Sequence, residues 1–284
     1  MHKINESFSP DLDAYFVRIR DRGTREPTLA TLNRIIEAHV STIPFENLDM
    51  FLGRPISLFP ENIERKLVFD ERGGYCFEQN TLMLYVLIAL GFQVQPISAR
   101  VRFQMSRSFV PARTHMFLRV ELDGESWLVD VGVGGMSVTC ALRLQLDVAQ
   151  PTPHEPRRIV SAGQWNDLDQ RAANAVLYHQ VLIGGTWEDV CDFTLEEMFP
   201  IDRELGNWFV STHTESPFFN TLMVARSSKN GRVTLLNREL KHRDMTGKVV
   251  SRTLENSEQL LSSLRDEFSL VFPSKTQFDC AGLE

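Results

Sequence analysis

The chain has 284 residues, of which 43% are hydrophobic and 24% are charged, as in ordinary globular proteins with two or three domains. Its formal net charge of −7 leaves no surplus of Lys and Arg to neutralise phosphates, which argues against nucleic acid as a partner. The longest apolar stretch, residues 82–91, has about half the length that spans a bilayer, so we expect a buried helix and no membrane contact.

Helical patterns dominate the N-terminal third of the chain. Ser9, which a proline follows, predicts the N-cap of a first helix, and Thr28 predicts the N-cap of a second. The segment PENIERKLVF, residues 60–69, indicates a shorter third helix. A fourth helix is predicted to begin at Cys76 and to end near Gly91. This region is therefore expected to be a helical bundle.

After Gly91 the apolar residues follow the periodicity of strands. Residues 93–103 and 115–135 are predicted to form strands, the second segment being a hairpin that turns at Asp123-Gly124. Residues 175–193 repeat the strand pattern around a Gly-Gly pair. The middle third is therefore predicted to be an antiparallel β-rich domain, closed like a barrel or sandwich-like.

The last third mixes two kinds of element. Residues 232–240 and 247–254 are predicted strands, and residues 257–268 are predicted to form a helix capped by Ser257. These elements indicate a smaller α/β lid. The sequence thus predicts an α+β fold with three domains, divided as residues 1–91, 92–200 and 201–284.

The predicted hairpin brings a base and an acid together. If Asp123-Gly124 is a two-residue turn, Leu122 faces Glu125, and paired residues have numbers that sum to 247. His115 and Asp130 are then diagonal neighbours on one sheet face, roughly 7–8 Å apart at Cα. The spacing predicts an imidazole oriented by a carboxylate.

Cys76 completes this pattern as a candidate nucleophile. A thiol at a helix start is exposed to unpaired amides and to the helix dipole, and a nearby imidazolium favours the thiolate further. Gly73 and Gly74 let a substrate approach the backbone closely. The sequence therefore predicts an activated nucleophile at Cys76, a base at His115 and a carboxylate that orients the base at Asp130. A cysteine that only packs is the competing interpretation.

The other cysteines and histidines are interpreted as structural. No C-x-x-C pair or zinc-type spacing occurs, so we expect no metal and reduced thiols. The N-terminus lacks the pattern of a signal peptide, and a cytoplasmic protein is expected. His39 is predicted to be a satisfied histidine beside an apolar stripe. Structural roles are predicted for Cys140, Cys191 and Cys280. Solvated positions on a strand face and loop are predicted for Arg100, Arg102 and Arg107.

Five segments resemble the hallmarks of a known family in order and spacing. They are IPFENLD (43–49), RGGYCFEQN (72–80), RTHMFLRV (113–120), WLVDVGVGG (127–135) and NWFVSTH (207–213). The chain resembles the arylamine N-acetyltransferases, of the bacterial type that also acts as an N-hydroxyarylamine O-acetyltransferase. The resemblance covers almost the whole chain.

The resemblance implies a cysteine transferase that takes an acetyl group from acetyl-CoA as a thioester, with Cys76, His115 and Asp130 as the catalytic triad and no metal. It implies aromatic amines, hydrazines or N-hydroxyarylamines as acceptors, and it is compatible with a homodimer. Glu46 and Arg72 are implied to form an ion pair that braces the loop before Cys76. The implied substrate-binding residues are Phe45, Val101 and Val133 at the acceptor pocket, Thr114 and Gly134 near the CoA thiol arm, and Phe209 closing the cleft.

Two positions depart from the family pattern. Family members commonly carry an aromatic residue where Val133 stands, and the smaller valine is expected to widen the acceptor pocket. Thr214 replaces a proline that usually follows the segment STH.

Three other functions stay open at the level of sequence. A cysteine hydrolase or a transglutaminase-like enzyme would use the same Cys, His, Asp order with water or a lysine amine as acceptor. A family member that joins a tethered acyl chain to an aromatic amine, an amide synthase, would share all five segments. A binding protein would keep the three side chains only for packing.

Overall fold

Helices fill the N-terminal part of the computed structural model, which describes residues 8–162 and 176–278. Helix α5 is apolar on nearly every side and lies at the centre of this part, where Phe77, Met83 and Leu87 are fully buried. The elements are α1 (Leu12–Arg18), α2 (Leu29–Thr42), the short strand β1 (Phe45–Glu46), α3 (Leu48–Phe51), α4 (Pro60–Glu64), a π-helical turn (Arg65–Phe69) and α5 (Cys76–Ala89).

The predicted helix starts are correct in part. Thr28 caps α2 by accepting the Thr31 N–H, as predicted. The N-cap predicted at Ser9 is wrong, because the carboxylate of Asp11 accepts the Ala14 N–H at 2.9 Å and its charge also suits the helix dipole.

A second N-cap near the C-terminus of the described chain was also misplaced, by one position. The N-cap predicted at Ser257 is wrong, because Ser257 is already the first helical residue. The Asn256 side chain accepts the Gln259 N–H at 2.9 Å and is the cap. In both helices the preceding acid or amide reaches the free amide better than the serine does.

The middle of the chain forms a nearly closed, seven-stranded antiparallel barrel. Its strand order is β5-β4-β3-β2-β8-β7-β6, and the chain after β5 approaches β6 through the bridges Leu146–Ile159 and Gln150–Arg157. The barrel interior is apolar, with Ile97 and Phe193 among its buried residues. The strands are β2 (Gln93–Val101), β3 (His115–Leu122), β4 (Glu125–Val129), β5 (Leu142–Arg143), β6 (Arg157–Ser161), β7 (Leu177–Ile183) and β8 (Thr186–Glu197).

The predicted hairpin register is confirmed. Leu122 pairs with Glu125 and Leu118 pairs with Val129, so the paired numbers sum to 247. Asp123 and Gly124 have φ angles of 52° and 78°, as a two-residue turn between right-twisted strands requires.

The last part of the described chain contains a five-stranded sheet that includes an early strand. Its order is β1-β9-β10-β11-β12, so β1 pairs with β9 across most of the chain length. The elements are β9 (Met223–Ser228), β10 (Gly231–Leu236), β11 (Glu239–Asp244), β12 (Val249–Thr253) and α8 (Ser257–Phe268). The helix over residues 257–268 is present, and the strand predicted over 247–254 contains β12. The single strand predicted over 232–240 is wrong, because β10 and β11 meet there in a hairpin turn at residues 237–238, and β9 was not predicted.

Two helices in this part were not predicted, α6 (Pro200–Thr212) and α7 (Pro217–Asn220). Helix α6 packs on α5 through Gly206, where an added Cβ would lie 2.6 Å from the Phe77 ring, so the glycine allows close approach. Ile201, Leu205 and Trp208 are exposed on its opposite face. Because apolar residues lie on both faces, the sequence of α6 lacks the single apolar stripe that usually identifies a surface helix.

The predicted α+β fold class is therefore confirmed: N-terminal helices, a nearly closed barrel, and a final region of sheet and helix. Within residues 8–162 and 176–278, no helix is long and apolar enough to cross a bilayer. The interpretation of Cys280 concerns a residue outside the described ranges. The domain boundaries after residues 91 and 200 stay a prediction.

The cap of α1 is directly testable. Asp11→Ala should lower the free energy of unfolding by about 1 kcal/mol, because the Ala14 amide loses its partner. Ser9→Ala, two residues away, should leave it nearly unchanged. Urea unfolding of both variants is the measurement, and a larger loss for Ser9→Ala would contradict the assignment.

Candidate active site

Cys76 is the first residue of α5 and only 3% exposed. Its Sγ lies 3.8 Å from the carbonyl oxygen of Thr114, immediately before β3. The Glu78 carboxylate accepts the Tyr75 N–H at 3.1 Å and anchors the chain where it enters the helix. The Cys76 amide lies in the first turn, where helix N–H groups lack intrahelical partners.

His115 and Asp130 meet above this helix start. His115 opens β3, Asp130 follows the last residue of β4, and Nε2 of the imidazole donates to Oδ2 of the carboxylate at 2.8 Å. The His115 side chain also hydrogen-bonds with Cys76. The neighbourhood expected from the hairpin register is therefore present.

Burial and charge oppose each other at this pair. Burial lowers the pKa of His115, but the Asp130 carboxylate and its hydrogen bond outweigh burial and raise that pKa to about 10. Burial likewise raises the pKa of Asp130, but His115, the Gly132 N–H and Asn80 lower it overall. The two groups thus favour an imidazolium beside a carboxylate at neutral pH.

Asn80, which sequence reasoning missed, joins the nucleophile helix to the acid. Its Nδ2 donates to Asp130 Oδ1 at 3.1 Å and to the Met116 carbonyl at 2.7 Å, while its Oδ1 accepts the Val131 N–H at 3.1 Å. Asn80 is four residues after Cys76, on the same helix face, and this spacing was the available signal.

Gly132 shows why the chain after Asp130 contains glycine. An added Cβ would lie 2.8 Å from Cys76 Cα and 2.7 Å from Asn80 Nδ2. The Gly132 N–H also donates to Asp130 Oδ1 at 3.0 Å. The GVGG segment therefore closes tightly over the nucleophile.

A network of buried charges lies beneath the loop before Cys76. The predicted Glu46–Arg72 ion pair is present, with 2.6 Å between Arg72 Nη2 and Glu46 Oε1. Asp49 lies 3.1 Å from the same guanidinium, and Lys66 links Asp49 at 2.6 Å to Glu78 at 2.8 Å. These last three members were not predicted, because their partners are distant in sequence.

An uncharged network supports the same loop from the other side. Gln79 donates to the carbonyls of Pro44 and Gly74 at 2.8 and 3.1 Å, and its Oε1 lies 2.6 Å from His39 Nε2. Nδ1 of His39 lies 2.9 Å from the Tyr15 hydroxyl. Burial lowers the pKa of His39 to about 4, so the ring is neutral, and the expectation of a satisfied histidine is confirmed.

Two of the residues implied to bind substrate line one cavity. Thr114 and Phe209 face a space of about 450 Å³ between α6 and the barrel rim, together with Met198, Leu205 and Gly206. Their placement in one cavity is compatible with the roles that the resemblance implies.

The other implied residues lie elsewhere around the site. Phe45 and Gly134 adjoin each other, since an added Cβ on Gly134 would lie 3.4 Å from the Phe45 ring. Val133 is half-buried and directly precedes a 3₁₀ turn (Gly134–Met136). Val101 ends β2 and pairs with Cys191 of β8.

The structure also bears on the predictions for Arg102, Cys140, Cys191 and Thr214. Arg102, expected to be solvated, is 4% exposed and forms an ion pair with Asp192 of β8, so that interpretation is wrong. Cys191 is buried, and burial raises its pKa well above the usual value; burial raises that of Cys140 to about 11. Asn220 donates to the carbonyl of Thr214 at 2.6 Å, which holds the turn after α6 without proline.

Known proteins share this sequence and fold. A family model described as "N-acetyltransferase" matches residues 28–277. The arylamine N-acetyltransferases of Mycobacterium tuberculosis and Escherichia coli are 38% and 35% identical, each over 92% of this chain and 89% of the relative. The Salmonella typhimurium arylamine N-acetyltransferase / N-hydroxyarylamine O-acetyltransferase is 36% identical over 80% of this chain and 76% of its own length.

Solved structures agree with the sequence relatives. The M. tuberculosis arylamine N-acetyltransferase superimposes with a TM-score of 0.83 at 37% identity, covering 91% of this chain and 93% of that chain. The Mycobacterium marinum arylamine N-acetyltransferase in complex with CoA has a TM-score of 0.83 at 35% identity, covering 91% and 92%.

The sequence and the fold are those of acetyltransferases. The chain belongs to the arylamine N-acetyltransferase family. Among the described residues, no group of three or more His, Cys, Asp or Glu side chains is arranged to hold a metal ion.

The reactivity of Cys76 can be measured by alkylation. At pH 7 Cys76 should react with iodoacetamide faster than Cys140, because the His115 imidazolium lies beside the Cys76 sulfur, whereas burial raises the pKa of Cys140 to about 11. In His115→Gln this difference should shrink, because the neighbouring positive charge is lost. Cys140 in the same sample is the internal control. Equal rates for both thiols in the unmodified protein would contradict the assignment.

Proposed function

We propose that the protein transfers an acetyl group from acetyl-CoA to the nitrogen of aromatic amines through a thioester on Cys76. The observation that carries the proposal is the hydrogen-bonded series of Cys76, His115 and Asp130 at the start of a buried helix, in a chain of this family. Catalytic roles for these three residues are part of the proposal.

In the first half-reaction the Cys76 thiolate attacks the acetyl carbonyl. The C–S bond to CoA breaks as the new thioester forms, and the departing CoA thiolate takes the His115 proton. Exchange of one thioester for another is close to neutral in free energy. The site therefore supplies mainly a nucleophile, a proton and a dry, fixed geometry.

In the second half-reaction an amine attacks the acetyl-Cys76 carbonyl. His115, now neutral, takes a proton from the amine, and the Cys76 thiolate leaves. The free amide at the start of α5 is our candidate for holding the developing oxyanion. Asp130 keeps the imidazole oriented and stabilises the imidazolium that returns.

The proposal also includes hydrazines and N-hydroxyarylamines as acceptors and the cytoplasm as the compartment. Hydrazines carry the same kind of nucleophilic nitrogen, and an N-hydroxyarylamine would be acetylated at oxygen by the same acetyl-enzyme. The name of the S. typhimurium relative, which includes an N-hydroxyarylamine O-acetyltransferase, supports the latter reaction. Cys76, Cys140 and Cys191 are free cysteines, as is usual in a reducing compartment, and this supports the predicted cytoplasmic setting.

The proposal is tested by intact mass after mixing the protein with acetyl-CoA alone. The expected result is one acetyl adduct, on Cys76, with release of one CoA. Cys76→Ser should give no adduct, because a hydroxyl does not ionise beside an imidazole as a thiol does. Cys140→Ser is the matched control and should be acetylated normally.

Other outcomes identify the alternatives. Steady CoA release without an accumulating adduct or an acceptor would indicate a hydrolase. Acetylation of Cys140→Ser and Cys76→Ser alike would remove Cys76 as the nucleophile. Failure with acetyl-CoA but acylation from a carrier-bound chain would indicate an amide synthase.

Acceptor selectivity provides a second prediction, at Val133. An aromatic ring restored by Val133→Phe should favour small single-ring amines over bicyclic ones, by roughly 1–3 kcal/mol in transition-state discrimination. Acetylation of Cys76 should stay nearly constant. The measurement is kcat/KM for paired small and bulky amines, and an unmoved ratio would show that Val133 does not line the acceptor pocket.

A further inference from the structure

The turn formed by residues 131–137 is held at two separate ends. At its near end the Val131 N–H binds Asn80 and the Gly132 N–H binds Asp130. At its far end the Val138 N–H donates to the Asp130 carbonyl at 3.3 Å, and the Ser137 carbonyl accepts from outside the barrel. Asp130 holds both ends, and the far end has a second anchor that the near end lacks.

The anchor of the far end is Arg232, on β10 of the five-stranded sheet. It is 4% exposed, and its Nη1 donates to the Ser137 carbonyl at 2.9 Å and to the Ser227 hydroxyl at 2.7 Å. Its Nε and Nη2 bind the two oxygens of Glu155 at 3.2 and 2.8 Å. The guanidinium thus joins the sheet, the turn and the chain leading into β6.

Glu155 is firmly ionised in this contact. Burial raises its pKa, but Arg232 and, more weakly, Arg157 outweigh burial and bring the pKa to about 2. The planar fork of an arginine matches a carboxylate bidentately, and a lysine cannot keep that fork and the carbonyl together. The geometry of the clamp therefore depends on arginine itself.

The turn also rests directly on the same sheet. A Cβ on Gly135 would lie 2.9 Å from Cγ2 of Thr234, two residues beyond Arg232 on β10. Gly134 rests against Phe45, which belongs to β1 of the same sheet. The sheet face and the Arg232 guanidinium together define the position of Val133 and Gly134.

From this placement we infer that Arg232 is a positioning residue for the acetyl acceptor, acting through the Ser137 carbonyl on the wall formed by residues 131–137. The inference rests on the proposed function. Its effect falls on the second half-reaction, because Asp130 and the start of the turn are held by Asn80 and the Gly132 amide. Loosening the far end of the turn should shift the wall formed by residues 131–137 and leave the hydrogen bond between Asp130 and His115 intact.

The test compares Arg232→Lys with Arg34→Lys. Arg34 of α2 also binds a carboxylate and a backbone carbonyl, those of Asp21 and Thr24, and it lies away from the turn. For Arg232→Lys we expect acetylation of the nucleophile within about twofold of the unmodified protein, with kcat/KM for an arylamine lowered about 10- to 100-fold, mainly through KM. Arg34→Lys should change neither step. Glu155→Gln keeps the side-chain shape and should show the same split.

Hydrogen exchange provides a readout independent of catalysis. Backbone amides of residues 131–138 should exchange faster in Arg232→Lys and Glu155→Gln than in Arg34→Lys. Equal losses in both half-reactions, an unchanged acceptor KM, or unchanged exchange in the turn would overturn the inference. If the unmodified protein takes no acetyl group, the proposed function fails, and hydrogen exchange alone decides whether Arg232 holds the turn.

Discussion

The position of the nucleophile depends on buried charge beneath the loop that precedes it. Glu46, Asp49, Lys66, Arg72 and Glu78 are ionisable groups that would be costly to bury unpaired, and each has an opposite charge within 3.1 Å. A displacement of β1, α3, the π-helical turn or α5 would leave a charge without its partner. The loop passes so close to Pro44 that position 73 must be glycine, since an added Cβ there would lie 2.2 Å from the Pro44 carbonyl oxygen.

The three side chains that we propose to react come from two different parts of the chain. Cys76 belongs to the helical part, whereas His115 and Asp130 belong to the barrel hairpin, and Asn80 spans the boundary with three hydrogen bonds. The barrel fixes the imidazole against its carboxylate, and the helix fixes the thiol. Burial disfavours both charges of the pair, but the attraction and the hydrogen bond between His115 and Asp130 outweigh burial, because little water competes for either group.

Features that depend on residues close together in the sequence were predicted correctly. Asp123-Gly124 specified the hairpin turn, and the turn specified the pairing that places His115 near Asp130. Helix α6 was missed because Pro200 and Gly206 suggest a loop and its exposed apolar residues break the stripe. Asn80, Arg102 and Lys66 were missed as buried partners because each partner lies 12 or more residues away, and a lone polar residue does not reveal burial.

The two-residue strand β1 has a consequence for how the chain is made. Phe45 and Glu46 pair with Ala225 and Val224, nearly 180 residues later, while Gly74 contacts the same strand from the nucleophile loop. Contacts of such long sequence separation form late, because the intervening chain must first be closed into a loop. During synthesis the helices can form early, but the strand beneath the nucleophile finds its partner only after β9 has emerged from the ribosome. A truncated product that ends before β9 would carry all three reacting side chains and lack the completed platform that orients them.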